Sequence, residues 1–384
     1  MKNFNLDAIL EAMLKASERV SDLNFSVGRP PQVEIDGQLV GVGFPGLTRL
    51  SPFQTEMIVL HMMRGDRELT RTLLQNGSVD LSYSIPGKTR FRVNVFSQRG
   101  TYAIVLRVIP EGIPTIEQLG LPGELHHISK LKNGIVLVTG PTGSGKSTTL
   151  AAIINQINHE QAYHIITIED PIEYMHRHVK ATVNQRELGS DTRSFALALR
   201  AALRQAPKVI LIGEMRDVET IEIAMEAAET GHLVFSTLHT IDAAKTVDRI
   251  VGVFPKDQER QIRNRFAQSF RYVISQRLVP KDGGGRIAVL EILKSTQRTR
   301  DYVTKGEQDG RSLTDAMRDG SIDGMQAFDD QLEVLWERKV ITKDIALAYA
   351  TNPTNLALRL TDGGAPPAET AAAESGSLLS MLEE

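Results

Sequence analysis

Residues Gly140-Pro-Thr-Gly-Ser-Gly-Lys-Ser-Thr148 fit the phosphate-binding pattern G-x-x-x-x-G-K-S/T, which implies binding of a nucleoside triphosphate. Gly140, Thr142, Gly143, Ser144 and Gly145 supply a loop whose backbone N–H groups can close around phosphate oxygens. Lys146 is expected to reach the β- and γ-phosphates, Ser147 to offer its hydroxyl to Mg²⁺, and Thr148 to complete the pattern. The flanks agree with this reading. Gly134–Thr139 is a short β-branched run of the kind that makes a buried strand, and Ser147–Ile154 reads as a helix whose N-terminus adds partial positive charge.

Beyond the loop, apolar strand patterns at 164–168, 208–212, 232–238 and 286–293 alternate with helical patterns at 193–205 and 218–229, which predicts a mostly parallel sheet. Ligands of such sheets collect outside the carboxyl ends of the strands, and the polar candidates fall there: Glu169 and Asp170, Glu214, and His239. Glu214 follows Val209-Ile-Leu-Ile-Gly213 and is the candidate base that directs water at a γ-phosphate. A carboxylate often precedes that base to hold the metal, but here the position is Gly213, so Glu169 or Asp170 is expected to help with Mg²⁺. His239 is a candidate donor to the γ-phosphate; His232, at the other end of the same strand, reads equally well as a buried structural imidazole.

Upstream, Leu6, Ile9, Leu10, Met13 and Leu14 recur at helical spacing, Asp36-Gly37 signals a hairpin, and strands are expected at 79–85, 90–97 and 102–109. The chain therefore divides into an N-terminal α/β domain (1–109), a linker (110–124), a nucleotide-binding domain with a helical C-terminal part (125–360) and a flexible tail (361–384). The 384 residues carry a net charge of −3 and no cysteine, which excludes disulfides and cysteine zinc sites and gives no electrostatic reason to expect nucleic-acid binding. Met1-Lys-Asn-Phe4 lacks a signal-peptide pattern and no apolar run is long enough to cross a bilayer, so a cytoplasmic protein without direct membrane insertion is expected.

The phosphate loop, the acidic box Ile168–Tyr174, the segment Ile212–Asp217 and the histidine box Thr230–His239 together resemble the secretion-type ATPases, in particular the PilT/PilU type of type IV pilus retraction motor. Ser21-Asp-Leu23, Arg90–Asn94 and Gly324-Met-Gln326 are similar to that family's flanking segments. The resemblance implies a PAS-like N-terminal domain followed by a RecA-like ATPase domain, a homo-hexameric ring, and ATP held between the domains of each subunit. It further implies action on an inner-membrane platform protein from the cytoplasmic face, with a paralogous retraction ATPase as a possible partner. An accessory low-turnover subunit and an assembly or secretion ATPase are the alternatives. Retraction motors commonly carry an Ala-Ile-Arg helix that is absent from Gln297-Arg-Thr-Arg300, and assembly relatives usually carry a four-cysteine zinc element that this chain lacks.

The resemblance also implies that cations from the N-terminal domain complete the site, for which Arg99 and Arg107, near the linker, are the candidates, with Arg90 and Arg92 behind them. Arg107→Ala is expected to abolish turnover while sparing nucleotide binding; unchanged turnover would remove Arg107 from the site.

Overall fold

The computed structural model describes residues 5–44, 47–109, 112–307 and 312–361. Residues 362–384, most of the segment expected to be a flexible tail, lie outside the described residues. In the N-terminal domain β1 (Val20–Phe25), β2 (Gln32–Ile35), β3 (Gln38–Gly41), β4 (Ser78–Ile85), β5 (Thr89–Gln98) and β6 (Thr101–Ile109) form an antiparallel sheet in the order β3-β2-β1-β6-β5-β4. The expected hairpin closes at Asp36-Gly37, whose φ of 52° and 80° give the two left-handed positions of a two-residue turn. The first helix, Leu6–Leu14, lays Leu6, Leu10 and Met13 against Phe25 and Phe91 of the sheet, all of them fully buried. Burying each such side chain contributes about 1.5–3 kcal/mol.

The second sheet holds β7 (Gly134–Thr139), β8 (His164–Glu169), β9 (Thr182–Glu187), β10 (Val209–Ile212), β11 (Leu233–Leu238), β12 (Phe270–Pro280) and β13 (Arg286–Lys294), in the order β13-β12-β7-β11-β10-β8-β9. Every neighbouring pair is parallel except β12–β13. Alternate residues of β7 face opposite layers: Ile135 and Leu137 pack under the helices Val218–Glu229 and Glu259–Ser269, and Val136 and Val138 under Lys146–Glu160. Both faces are covered, which is why the central strands β7, β8, β10 and β11 read as largely apolar runs.

Three strands were not expected from the sequence: β1, β9 and the eleven-residue β12. β12 follows the helix Glu259–Ser269 with no intervening residue, so no Gly or Pro marks its start. Within the stretch expected to be linker, Ile116 and Leu121 are already buried in the layer beneath β7, and Glu124 accepts from Tyr272 at 2.6 Å and Lys294 at 2.8 Å.

The expected apolar stripe Phe328, Leu332, Leu335 and Trp336 lies on the helix Phe328–Glu337, which packs with Val279 and Val289 at the far end of the sheet. The outer edge of β13 is occupied at Leu290 and Ile292. Gln326 exchanges backbone hydrogen bonds with Ile292, its side chain donates to the Leu290 carbonyl, and Gln331 accepts the Leu290 N–H.

Behind the histidine box, buried Glu291 of β13 accepts the Ala243 N–H at 2.7 Å, at the start of the helix Ala243–Gly252. Burial, reinforced by Asp242, pushes its carboxyl up to about 7 from an ordinary value of 4.5, against the opposing pull of the Ala243 N–H and Arg277. Between those two values the native state keeps a proton that the unfolded chain has released, so stability falls as pH rises through them. Glu291→Gln removes this dependence. The unfolding free energy of wild type minus that of Glu291→Gln is expected to shift against wild type by on the order of 2–3 kcal/mol between about pH 5 and about pH 8 in denaturant titrations; a difference that stays flat would refute it.

Candidate active site

The sheet register assembles the site. Thr139 pairs with Leu238, and Ile212 with Ile168 and Ser236, so the residues that follow these strands emerge side by side. They open into a cleft of about 620 Å³ lined by Thr142, Gly143, Gly145, Lys146, Ser147 and Thr148 of the loop and by Glu169, Asp170, Glu214 and His239.

The loop is shaped by close backbone approach. A Cβ at Gly140 (φ 146°) would run into the Gln276 carbonyl oxygen, and Gly145 (φ 86°) starts the helix Lys146–Glu160 with no side-chain cap. The first N–H groups of that helix thus face the loop, an arrangement that favours an anion. The Lys146 ammonium donates to the carbonyls of Gly140 at 2.8 Å and Pro141 at 3.0 Å. Burial lowers its proton affinity, and Glu173 and Glu214 act in the opposite direction.

Gln276, buried on β12, holds the loop from beneath: its Nε2 donates to the Ser144 carbonyl and its Oε1 accepts from the Thr149 hydroxyl, each at 2.7 Å. Tyr174 closes the side wall through a 2.9 Å hydrogen bond between its hydroxyl and that of Thr148. Tyr174 ends the acidic box, whereas Gln276 belongs to no motif. Gln276 has a faint signal in retrospect, as the middle of three polar residues between Val273-Ile274 and Leu278-Val279.

On the opposite wall Glu169 accepts from the Thr167 hydroxyl at 2.6 Å and from Gln185 Nε2 at 3.1 Å. Burial pushes its carboxyl up to about 7, with Glu173 adding to the rise and the two hydrogen bonds opposing it. Glu214 lies between strand and helix: Gly213 donates to the Ile168 carbonyl, and Asp217 caps the helix Val218–Glu229. Its carboxylate pairs with Arg216 Nη2 at 2.6 Å and stands 3.7 Å from His239 Nε2. Burial and the Lys146 charge lower the proton affinity of His239 despite the neighbouring Glu214. His232, at the other end of β11, bonds to the Ala227 carbonyl through Nδ1 at 2.9 Å and does not line the cleft.

Sequence and shape comparisons bear on this arrangement. The model of the type II/IV secretion system protein family matches residues 35–283. The chain is 42% identical over 340 residues to the type IV pilus retraction ATPase PilT of Pseudomonas aeruginosa, covering 88% of this chain and 97% of that protein. The chain belongs to this secretion ATPase family. It is 41% identical to the type IV pilus ATPase PilU of the same organism, over 91% of this chain and 90% of PilU. A crystal structure of the pilus retraction motor PilT with bound ADP superposes with a TM-score of 0.81 at 42% identity, covering 93% of this chain and all of that one. These similarities group the chain with the PilT-type retraction ATPases and bear out the expected α/β architecture, an N-terminal domain followed by the ATPase domain.

Two secretion-ATPase site residues expected from sequence are not brought to the cleft. Arg99 sits in the two-residue β5–β6 turn with φ 48°, and Arg107, on β6, is exposed and donates to the buried Asp22 at 3.0 Å. Neither lines the cleft, whose own cationic side chains besides Lys146 include Arg216 and Arg286. Arg216 has the local signal that sequence reasoning passed over, a basic residue two positions beyond the candidate base.

The hold of Gln276 on the loop has a measurable consequence. Gln276→Ala leaves the Ser144 carbonyl and the Thr149 hydroxyl without their partner and is expected to cost about 2–4 kcal/mol of stability. It is also expected to weaken ADP binding by on the order of tenfold, because the loop is no longer held in its binding shape. Thermal melts and calorimetric titration with ADP check both; an unchanged ADP affinity would show that Gln276 is not what shapes the loop.

Proposed function

We propose that this protein is an ATP-hydrolysing motor of the type IV pilus retraction class, working as a homo-hexamer at the cytoplasmic face of the inner membrane on a platform protein embedded there. The observation that carries the reading is one cleft that joins a phosphate loop to a carboxylate–imidazole pair, Glu214 and His239, 3.7 Å apart. Among the described residues no helix is long and apolar enough to cross a membrane, which agrees with action through a membrane-embedded partner.

In the proposed reaction the loop N–H groups and Lys146 hold the phosphates of ATP, and Glu214 orients water toward the γ-phosphate and takes its proton. Arg216 keeps the Glu214 carboxylate in place through their 2.6 Å pair. His239, held toward the neutral form by burial and Lys146, offers a hydrogen bond to the γ-phosphate or the leaving phosphate. Ser147, Glu169 and Asp170 are oxygen donors suited to Mg²⁺. Among the described residues no cluster of three His, Asp or Glu could hold a metal unaided, so the ion would be shared with the phosphates. Bound there, Mg²⁺ would neutralise charge on the phosphate oxygens. Arg99 and Arg107 are proposed to complete the site only when an N-terminal domain closes on it.

A second reading, an accessory retraction subunit paired with a stronger motor, rests on two observations. Identity to PilT and to PilU differs by a single percentage point, 42% against 41%. In the helix Gln297–Lys305, Arg298 is tied to Asp319 at 2.6 Å and to Tyr302 at 3.0 Å, so this arginine has a role inside the fold.

Steady-state Mg²⁺-ATPase activity measured against protein concentration tests both readings. A specific activity that rises with concentration and drops by at least about a hundredfold in Lys146→Ala and in Glu214→Ala is expected for a ring motor. Tight ATP binding with negligible wild-type turnover would favour the accessory subunit.

A further inference from the structure

β9 is the edge strand beside the acidic box, and two of its side chains, at alternate positions, hold that box. Gln185 donates to Glu169 and to the Tyr174 carbonyl, at 3.1 and 2.8 Å, and accepts the His176 N–H at 2.8 Å. The Glu187 carboxylate accepts the Ile172 N–H at 2.9 Å and the Ser190 hydroxyl at 3.4 Å, and it also reaches the N-terminal domain. Arg90 of β5 meets it at 3.1 Å, and the Ser82 hydroxyl of β4 donates to it. Ser82 and Arg90 belong to paired strands: Ser82 is opposite Arg92 and Ser84 opposite Arg90, so the two are diagonal neighbours.

The contact is buried, with the Glu187 side chain 6% and that of Arg90 17% exposed. Among the described residues nothing accepts from the buried Arg90 Nε. A buried ion pair with a half-satisfied guanidinium is a poor source of stability compared with apolar packing, so its value lies in fixing geometry. The geometry in question is that of the loop running from Glu169 to Tyr174, which carries one wall of the cleft.

We propose that Glu187 is a positioning residue for ATP turnover: one carboxylate ties the N-terminal sheet, through Arg90 and Ser82, to the Glu169–Tyr174 loop. The placement of the N-terminal domain then sets the placement of the Glu169 carboxylate. A domain that shifts drags the loop by the Ile172 N–H, and Gln185 transmits the displacement to Glu169. The proposal rests on the reading of the cleft as an ATPase site.

The test is Mg²⁺-ATP kinetics of the full chain in Glu187→Gln, Arg90→Gln, the double variant, Arg90→Lys and Ser82→Ala, beside wild type and Lys146→Ala. Glu187→Gln keeps an acceptor for the Ile172 N–H but loses the charge pair. It and Arg90→Gln are each expected to lower kcat by about tenfold with the KM for ATP within about twofold, and the double variant to lose no more than either single. Arg90→Lys should recover most of the loss, and Ser82→Ala should show a smaller fall in the same direction. Single variants with native circular dichroism and kcat within about twofold of wild type would overturn the proposal, as would a double variant showing the product of the two losses. Should the charge variants fail to fold, Ser82→Ala decides: an unchanged kcat overturns the proposal, and a fall in kcat at constant KM supports it. A wild type as inactive as Lys146→Ala would instead undo the ATPase reading itself.

Discussion

The parallel register of the central strands is the constraint on which the rest depends. Because β7, β8, β10 and β11 run the same way and pair in register, their carboxyl ends deliver a phosphate loop, a half-buried carboxylate, a candidate base and an imidazole to one edge. Backbone hydrogen bonds and two apolar layers fix that edge, so the polar groups are held by a scaffold that does not depend on their own interactions. The electrostatics of the cleft follow from the same packing. Burial raises the Glu169 carboxyl and lowers Lys146 and His239, each toward its neutral form, in a cleft whose intended occupant is strongly anionic.

Much of this was legible in the sequence because it is written in short-range pattern. The phosphate loop needs its glycines at fixed spacing, the strands before Glu169, Glu214 and His239 are continuous apolar runs, and Asp217 opens the helix Val218–Glu229 as a helix-capping aspartate should. What escaped is non-local. β12 is entered from a helix without a breaker, and β9, reading Thr-Val-Asn-Gln-Arg-Glu, turns polar residues inward because they bond to a loop rather than pack in a core. The contribution of Gln276 to the phosphate loop crosses well over a hundred residues of chain, from Gln276 to Ser144.

Arg107 illustrates a different limit. Its place near the linker makes it a candidate for the site, and on a strand face shared with Ala103, Val105 and Ile109 it lies exposed and pairs with Asp22, its cross-strand partner on β1. A basic residue on a mostly apolar strand face can be explained by the charge of a neighbouring strand, which periodicity along one strand does not report.

The sealed outer edge of β13 has a bearing on assembly. With the Leu290 and Ile292 amides and carbonyls already engaged by Gln326 and Gln331, another chain finds no backbone there to extend the sheet. Neighbours meeting this stretch of the edge must do so through side chains, and side-chain surfaces can tilt and slide past one another where a shared hydrogen-bonded ladder would lock. In the ring proposed above, whose members would change shape with each nucleotide turnover, joints of that kind would serve better than a continuous sheet.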